Sequence, residues 1–479
     1  MQPYSFDVAT YSRRAGAAHD VHGATSFTTY PDPWNLACFT YGQKASRLVL
    51  SLFFRAALGI ERIFHFETLH DLGFGLLTGG SRALSRSRLG GLVRAVSTHA
   101  VKVFARATER IGKLRDQVVT LSLDEHVIAR FTRKFRISKG YHTTRNKHMR
   151  SEKLFFLQWL AKRRFLLLLA TRAKDSLTTV TVDFVRKVRA RIRPRQLRLI
   201  LDAGASNSHA ALAKLDRQRK TVFLVRAPRR PTLIAAWKQL PRSSFTRIEE
   251  PGRYVGAPAK IVHLTETTTK IPTIAKPVRT LVAREEAARG KDRWHALFIL
   301  HDDVTQTLAL LHEYRTRQHH EQGYRIGVRD MALDTVPSGY PKKGRPNRPG
   351  FRRGPITLCA WITSLAWDAL RDIASCLEPA FHLAHPRTLR RWIFERDAEL
   401  LLTRSHLLVV LDSSSGHKWL CPLLRAFNDL APALPWLGDR RVVIGFAPDL
   451  RLRGGRRRTY DRRPEVGSDR RQLGGGVWC

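Results

Sequence analysis

The chain has 479 residues, of which 84 are Lys or Arg and 40 are Asp or Glu, a formal net charge of +44. A surplus of this size opposes compaction by self-repulsion and is relieved by a polyanion, so nucleic acid is the leading partner. With 43% hydrophobic residues the chain is no solvated polycation, and its length predicts two or three domains rather than a mini-protein.

Five cysteines, Cys38, Cys359, Cys376, Cys421 and Cys479, form no C-x-x-C pair. That disfavours a zinc ribbon or a disulfide framework and suits a reducing compartment. The N-terminal MQPYSFDVAT lacks a basic stretch followed by an apolar one, so no secretory signal is expected. The apolar runs LVLSLFF (48–54) and RRFLLLLA (163–170) fall short of the ~18 residues that a membrane span needs. The expected location is cytoplasmic and nucleoid-associated, with no membrane partner.

In chain order, residues 1–110 read as an N-terminal region that could bind DNA. LVLSLFFRAALGI is helical, and SRALSRSRLGGLVRAVSTHAVKVFARATERIG reads as short basic helices with Leu84, Leu89, Leu92, Val93 and Val96 at helical spacing. A helix-turn-helix is one option there; ordinary amphipathic helices are the other, and Gly90-Gly91 fits a break as well as a turn. From Asp116 the period changes. QVVTLSLDEHVIARF (117–131) alternates like two strands turning over an acidic tip at Asp124 and Glu125. RRFLLLLA reads as a strand buried on both faces. A helix follows over 183–193, then a strand in LRLILDAG (197–204) ending on Asp202, a helix HAALAKL capped by Ser206, and a strand TVFLVRAP (221–228).

Residues 229–290 read as a β-rich insertion without strong helices, containing KIVHLTET (260–267) and VRTLVA (278–283). HALFILHD (295–302) returns to strand. VTQTLALLHEYRTRQHHEQ (304–322) reads as one long helix capped by Asp302 or Asp303. PSGYPKKGRPNRPGFRRG (337–354) is a basic linker, and helical material resumes at LCAWITSLAWDALRDIASCL (358–377) and runs to about Val410. The basic low-complexity end, 451–479, is expected to be disordered without a polyanion. The domain reading is therefore 1–110; a core in two parts, 111–228 and 291–410, separated by the insertion 229–290; and a C-terminal region 411–479.

On the helix 304–322, Tyr314, Arg317 and Glu321 fall within about 60° of one another. His312, His319 and His320 scatter around it and form no H-E-x-x-H, so a histidine metal site is disfavoured. Taken alone, each of these residues reads more readily as surface than as site. In order, though, the chain places Asp124, then Asp202 at a strand end, then a β-rich insertion, then Y-x-x-R-x-x-x-E. This arrangement resembles the DDE transposases of bacterial insertion sequences, in the branch marked by Y-x-x-R-x-x-x-E and a β-strand insertion before the glutamate. The resemblance covers about 116–330.

The resemblance implies an α/β fold: a ribonuclease-H-like mixed sheet with flanking helices, interrupted by the insertion and framed by helical N- and C-terminal regions. It implies that Asp124, Asp202 and Glu321 are catalytic and hold Mg²⁺ or Mn²⁺, with Glu125 as the alternative to Asp124. Hard divalent ions prefer carboxylate oxygens, and a pair of them can activate an attacking oxygen and stabilise the leaving oxygen of a phosphodiester. Tyr314 and Arg317 would contact the DNA end. Where the family often has Lys, seven residues after the glutamate, this chain has Val328; Arg325 or Arg329 would supply the charge.

The partners implied are double-stranded DNA, as terminal inverted repeats and target, and a second copy of the chain in a homodimer assembled on DNA. The basic segment 130–153 would track phosphates through Arg133, Lys134, Arg136, Lys139, Arg145 and Lys147, with a base against Phe135 or Tyr141. Trp237 and Trp294 rank lower as stacking platforms for a flipped base. The rival readings are a metal-dependent nuclease without strand transfer, and a non-catalytic nucleic-acid binder or inactive transposon remnant.

Overall fold

A computed structural model describes residues 33–446 apart from 69–71, 81, 109–114, 116, 133–134, 143–144, 251–258, 288–291, 341–349, 383, 395–397, 412–419, 431 and 435–436. The side chains of 33–44, 66–68, 72–73, 107, 319–320, 380 and 394 are outside that description as well. Arg133, Lys134 and the tail 451–479 therefore lie outside the described residues, as do the side chains of His319 and His320.

The chain opens with α1 (Pro33–Ala57), α2 (Leu72–Leu77), α3 (Arg86–Ala95) and α4 (Thr98–Ala107). Ser85 and Ser97 start α3 and α4 by accepting N–H bonds from Arg88 and Ala100, which satisfies donors that a helix's first turn leaves open. Gly90-Gly91 neither breaks nor turns the chain, because it lies inside α3. Two residues join α3 to α4, and neither helix stands apart as a reading head. Leu84, Leu89, Val93, Val101 and Phe104 are buried with Ile128, Leu154, Phe156 and Leu168 of the sheet described next.

The central layer is a large mixed sheet. Its strands are β1 (Val118–Ala129), β2 (Lys139–His142), β3 (Lys147–Trp159), β4 (Arg164–Arg172), β5 (Gln196–Leu201), β6 (Thr221–Arg226), β7 (Thr246–Glu250), β8 (Lys260–Thr269), β9 (Val278–Glu285) and β10 (Arg293–Leu300). They run in the order β2-β3-β1-β5-β6-β10-β9-β8-β7, with β4 paired to β3. Strands β1, β5 and β6 are mutually parallel, and β3, β4 and β10 antiparallel to their neighbours. The helices between strands are α5 (Leu177–Arg191), α6 (His209–Asp216) and α7 (Pro231–Lys238). After β10 come α8 (Thr307–Arg315), α9 (Arg317–Asp330) and α10 (Arg353–Ser375).

Residue parity along the strands sorts the two faces of this sheet. The odd residues Val119, Leu121, Leu123, Leu199, Leu201, Phe223 and Val225 pack under Val180, Phe184 and Val188 of α5 and Leu212 and Leu215 of α6. The even residues Ile200 and Leu224 pack instead with Leu310, Leu311 and Tyr314 of α8. Farther along that face, Ile128, Leu154 and Phe156 meet Tyr324 and Val328 of α9 and Ile356, Leu358 and Trp361 of α10. Everything polar on even positions of β1, β5 and β6 thus points toward the α8–α9 side.

Several local expectations are corrected. Residues 117–131 form one strand, not two, because β3 pairs along most of its length, from Leu121↔Trp159 to Ala129↔Ser151. That partner strand begins inside the basic segment 130–153 and runs past it, where Leu154, Phe155, Phe156 and Leu157 are almost wholly buried. The cap of α6 is Ser208, while the Ser206 hydroxyl donates to the carbonyls of Ala203 and Arg226. Segment 229–290 does contain a helix, α7, and its strands β7, β8 and β9 extend the edge of the same sheet.

The long helix is interrupted at Thr316, whose hydroxyl donates to the Glu313 carbonyl at 2.6 Å. Asp302 does not cap it: its carboxylate accepts from the N–H groups of Val304 and Thr305, ahead of the Gln306 N-cap, and pairs with Arg198. Beyond the short α11 (Pro386–Leu389) and a π-helical turn at Arg390–Phe394, the described residues up to Val410 are not helical. There β11 (Ala398–Leu402) and β12 (His406–Leu411) join α12 (Cys421–Leu430), β13 (Ala433–Leu434) and β14 (Arg440–Phe446) in a second sheet, ordered β11-β12-β14-β13. The apolar runs ELLL and LLVVL are too short for core helices and pair as strands instead.

Leu89 is fully buried against the central sheet and α10. Leu89→Ala is expected to lower the stability of the whole chain by about 2–5 kcal/mol. Urea unfolding followed by tryptophan fluorescence checks this: the main transition should shift, whereas an independent N-terminal module would melt separately and leave it in place.

Candidate functional site

The site begins with strand register. Leu123 of β1 pairs with Leu201 of β5, and Leu201 pairs with Val225 of β6. The next residues, Asp124, Asp202 and Arg226, therefore stand level on three neighbouring strands about 4.8 Å apart. All three are even positions on the face covered by α8 and α9. Asp124 lies mid-strand in β1, yet β5 pairing ends beside it at Leu123, so its carboxylate opens where the parallel part of the sheet stops. Arg226 carried no signal in the sequence reading. Its Nη1 lies 3.9 Å from Asp202 Oδ1.

Glu125, the alternative to Asp124, points to the opposite face and pairs with Lys153 at 3.0 Å. It cannot replace Asp124 without a register shift that would turn the whole strand over.

Helix α8 is pinned over this face by Glu313. One of its carboxylate oxygens accepts from the Thr120 hydroxyl at 2.6 Å, and the other pairs with Arg198 Nε at 3.1 Å. This anchor sets the helix so that Tyr314, Arg317 and Glu321 face the two aspartates. Arg317 Nη2 is 2.9 Å from Asp124 Oδ2 and 3.7 Å from Asp202 Oδ2, while Nη1 donates to Glu321 Oε1. One guanidinium thus touches all three carboxylates that the sequence singled out. Arg317 is 7% exposed, whereas the Glu321 side chain is 52% exposed and forms the outer wall.

The electrostatics follow from burial and from like charges. Burial pushes the Asp124 carboxyl up to about 6; Asp202 and Glu321 act in the same direction, and Arg317 and the Glu125 N–H oppose them. For Arg317, burial alone would weaken the charged form, but Asp124 and Asp202 outweigh it and hold the guanidinium above its ordinary value. Burial lifts the Tyr314 phenol to about 12, so it is a neutral donor whose buried hydroxyl has no hydrogen-bond partner among the described residues. Asp202 Oδ1 likewise has none among them.

The remaining expected contacts are dispersed. Arg325 and Arg329 lie exposed on α9, and Val328 packs half-buried against the apolar cluster under α10. Arg136, Lys139, Arg145 and Lys147 are exposed around the β2–β3 hairpin. The hairpin also exposes Phe131, with the Arg145 guanidinium 4.9 Å from its ring centre, and Tyr141, which is edge-on to His148. Phe135 is half-buried. Burial and the charges of Arg145 and His126 lower the His142 imidazole. Trp237 is buried in the core and Trp294 packs edge-on to Phe245, so neither is placed to receive a base. His312 is exposed.

The donor set suits a divalent cation: three carboxylates, one with an unpartnered oxygen, and no sulfur or imidazole among them. Among the described residues, however, no three His, Cys, Asp or Glu side chains form a ready metal cage. The place between the carboxylates is taken by the guanidinium.

No protein-family model matches the chain, and no curated protein matches its sequence. Among solved structures the chain is similar to the piggyBac transposase in the cryo-EM structure of its synaptic complex with hairpin DNA. The match is 12% identical, covers 70% of this chain and 67% of that one, and has a TM-score of 0.38. Among the described residues, no helix is long and apolar enough to cross a membrane.

Because Asp124 holds its proton to about pH 6 when folded, against an ordinary value of 3.8, the folded chain binds a proton that the unfolded chain has released across that window. Stability should fall as pH rises from about 4 to about 6 and stay at the lower level above. Asp124→Asn is expected to flatten that segment of the profile, as read from urea midpoints between pH 4 and pH 7.

Proposed function

We propose that this protein is a DNA transposase of the DDE type, in the branch of bacterial insertion sequences marked by Y-x-x-R-x-x-x-E. In this reading it cuts the ends of its element and joins the freed 3′-hydroxyls to target DNA. The observation that carries the reading is the convergence of Asp124, Asp202 and Glu321, three residues far apart in sequence, on one guanidinium over the central strands β1 and β5. Chance ion pairs seldom gather three like charges, since each added carboxylate raises the cost of ionising the others. Sites that handle phosphodiesters need such a gathering.

The proposed ribonuclease-H-like core is the run β4-β3-β1-β5-β6, the part of the sheet that carries both aspartates. Asp124, Asp202 and Glu321 would hold Mg²⁺ or Mn²⁺, which supplies Lewis-acid activation of phosphate oxygens when bound. The chain's own residues do the rest. Arg317 and Arg226 provide planar, permanently charged donors for a phosphate at the same place. Tyr314, kept protonated by burial, offers a hydrogen bond without adding charge. The exposed cations and rings of the β2–β3 hairpin would track the DNA backbone toward the carboxylates. The partners proposed are element ends, target DNA, and a second copy of the chain assembled on DNA.

A second reading, a non-catalytic DNA binder or an inactive remnant, is favoured by one observation: Arg317 already neutralises part of the carboxylate charge, so the cluster can stand as a structural ion-pair network. A nuclease without strand transfer is distinguished by the absence of joined product. The test is incubation of the full chain with Mg²⁺ and DNA carrying the flanks of its coding sequence, with cleaved and joined products resolved on a gel. Glu321→Ala should abolish both products while leaving DNA affinity within about threefold, because Glu321 donates no positive charge to the backbone. Metal-independent binding with no cleavage by the unaltered chain would favour the second reading.

The hairpin assignment has its own measurement. Lys139→Ala and Arg145→Ala should each weaken duplex binding about equally across sequences and reduce the slope of log K against log salt by about 1. Fluorescence anisotropy across a salt series checks it.

A further inference from the structure

We propose that the Arg317 guanidinium is a resident stand-in for the divalent cation, which leaves the carboxylates for a DNA phosphate and so couples cation affinity to DNA binding. The inference rests on the reading of Asp124, Asp202 and Glu321 as cation ligands, and adds a regulation that this reading does not contain.

Geometry is the first ground. Both terminal nitrogens of Arg317 are engaged by carboxylates, from β1, the end of β5 and α9. A cation shared among the same oxygens would have to occupy the space that the guanidinium fills, so the two are mutually exclusive. Charge is the second ground. Fully ionised, the three carboxylates set against Arg226 alone carry −2, which one divalent ion cancels. With Arg317 also in place they carry −1, and a divalent ion would leave an excess of positive charge beside the buried Arg317, which disfavours both cations there together.

The third ground is how Arg317 is held. Among the described residues its buried Nε has no hydrogen-bond partner, and the hydrogen bonds of its terminal nitrogens go to the carboxylates themselves. It is also the first residue of α9, directly after the Thr316 interruption, and no side chain caps that end. The outer wall is Glu321, more than half exposed, with Asp202 38% exposed beside it. The guanidinium therefore has a short path to the solvent edge, where a phosphate offers the bidentate partner it loses inside.

Linkage then fixes the sign. A cation binds only the state with Arg317 turned out, so its apparent affinity is reduced by the fraction of molecules in that state. A phosphate that captures Arg317 raises that fraction, and the coupling must be reciprocal.

The experiment measures Mn²⁺ binding to the full chain by loss of the free-ion electron paramagnetic resonance signal. It is done with and without a 30-base-pair duplex, after subtraction of Mn²⁺ bound by the duplex alone. Three variants are compared: Arg317→Gln, Arg317→Lys and Asp202→Asn. For the unaltered chain the duplex should tighten Mn²⁺ binding at least about tenfold. Arg317→Gln should bind Mn²⁺ at least about tenfold tighter without DNA and lose most of the gain on adding it; Arg317→Lys, whose point charge cannot reach three carboxylates at once, should lie between.

If Arg317→Gln is insoluble, Arg317→Lys and the unaltered chain with and without duplex carry the same comparison. Asp202→Asn should weaken Mn²⁺ binding in every background. Binding by Arg317→Gln that equals or falls below that of the unaltered chain, with Asp202→Asn still weakening it, overturns the exchange and leaves the ligand reading standing. Mn²⁺ binding indifferent to Asp202→Asn overturns the ligand reading itself, and the exchange with it.

Discussion

Three carboxylates, two from the central strands β1 and β5 and one from α9, repel one another, and a single guanidinium holds them together. Arg317 is almost fully buried, is bound to Asp124, Asp202 and Glu321, and is itself held charged by them. Without a cation at this point, the edges of β1 and β5 and the start of α9 could not share so small a space, because each like charge disfavours ionisation of the next. The same interaction shapes the chemistry open to the site. A set of hard oxygen donors with a cation already inside is an ion-pair network, and the phosphate chemistry proposed for it rests on the same three oxygen donors.

Around that point the fold divides its work by residue parity. Odd positions of β1, β5 and β6 build the apolar layer under α5 and α6, and even positions carry the polar groups toward α8 and α9. Glu313 is the hinge of this arrangement. By bonding Thr120 and Arg198 it ties α8 to the parallel strands β1 and β5, which places Tyr314, the next residue, and Arg317, about one turn on, over the aspartates. The N-terminal helices and α10 close the other end of the same face around Phe156 and Trp361, so the region before the sheet is part of its packing.

Much of this was legible in the chain. The strands of 197–204, 221–228, 260–267, 278–283 and 295–302 announced themselves by β-branched runs, and the Tyr314, Arg317, Glu321 stripe by helical spacing. Asp124 and Asp202 could be singled out because a carboxylate inside or ending an apolar strand needs a reason to be there. What was not legible depended on partners. Strand β3 was hidden because its basic first half resembles a solvated loop, while its pairing with β1 and β4 decides the matter. The helix assignment of 398–411 failed because short apolar runs suit either element until a neighbouring strand is known. Arg226 gave no signal, since its role exists only through the β5–β6 register.

The sequence by itself determined that this is a strongly basic chain with an α/β core, and which carboxylates were worth watching, because charge, period and strand-end position are local properties. Only the tertiary structure decided that Glu125 faces away while Asp124 faces in, that Trp237 of the insertion is core, and that Arg317 stands among the three carboxylates. Each of those depends on register and on which helix covers which face, and these are set by contacts between residues remote in sequence, where no local pattern reaches.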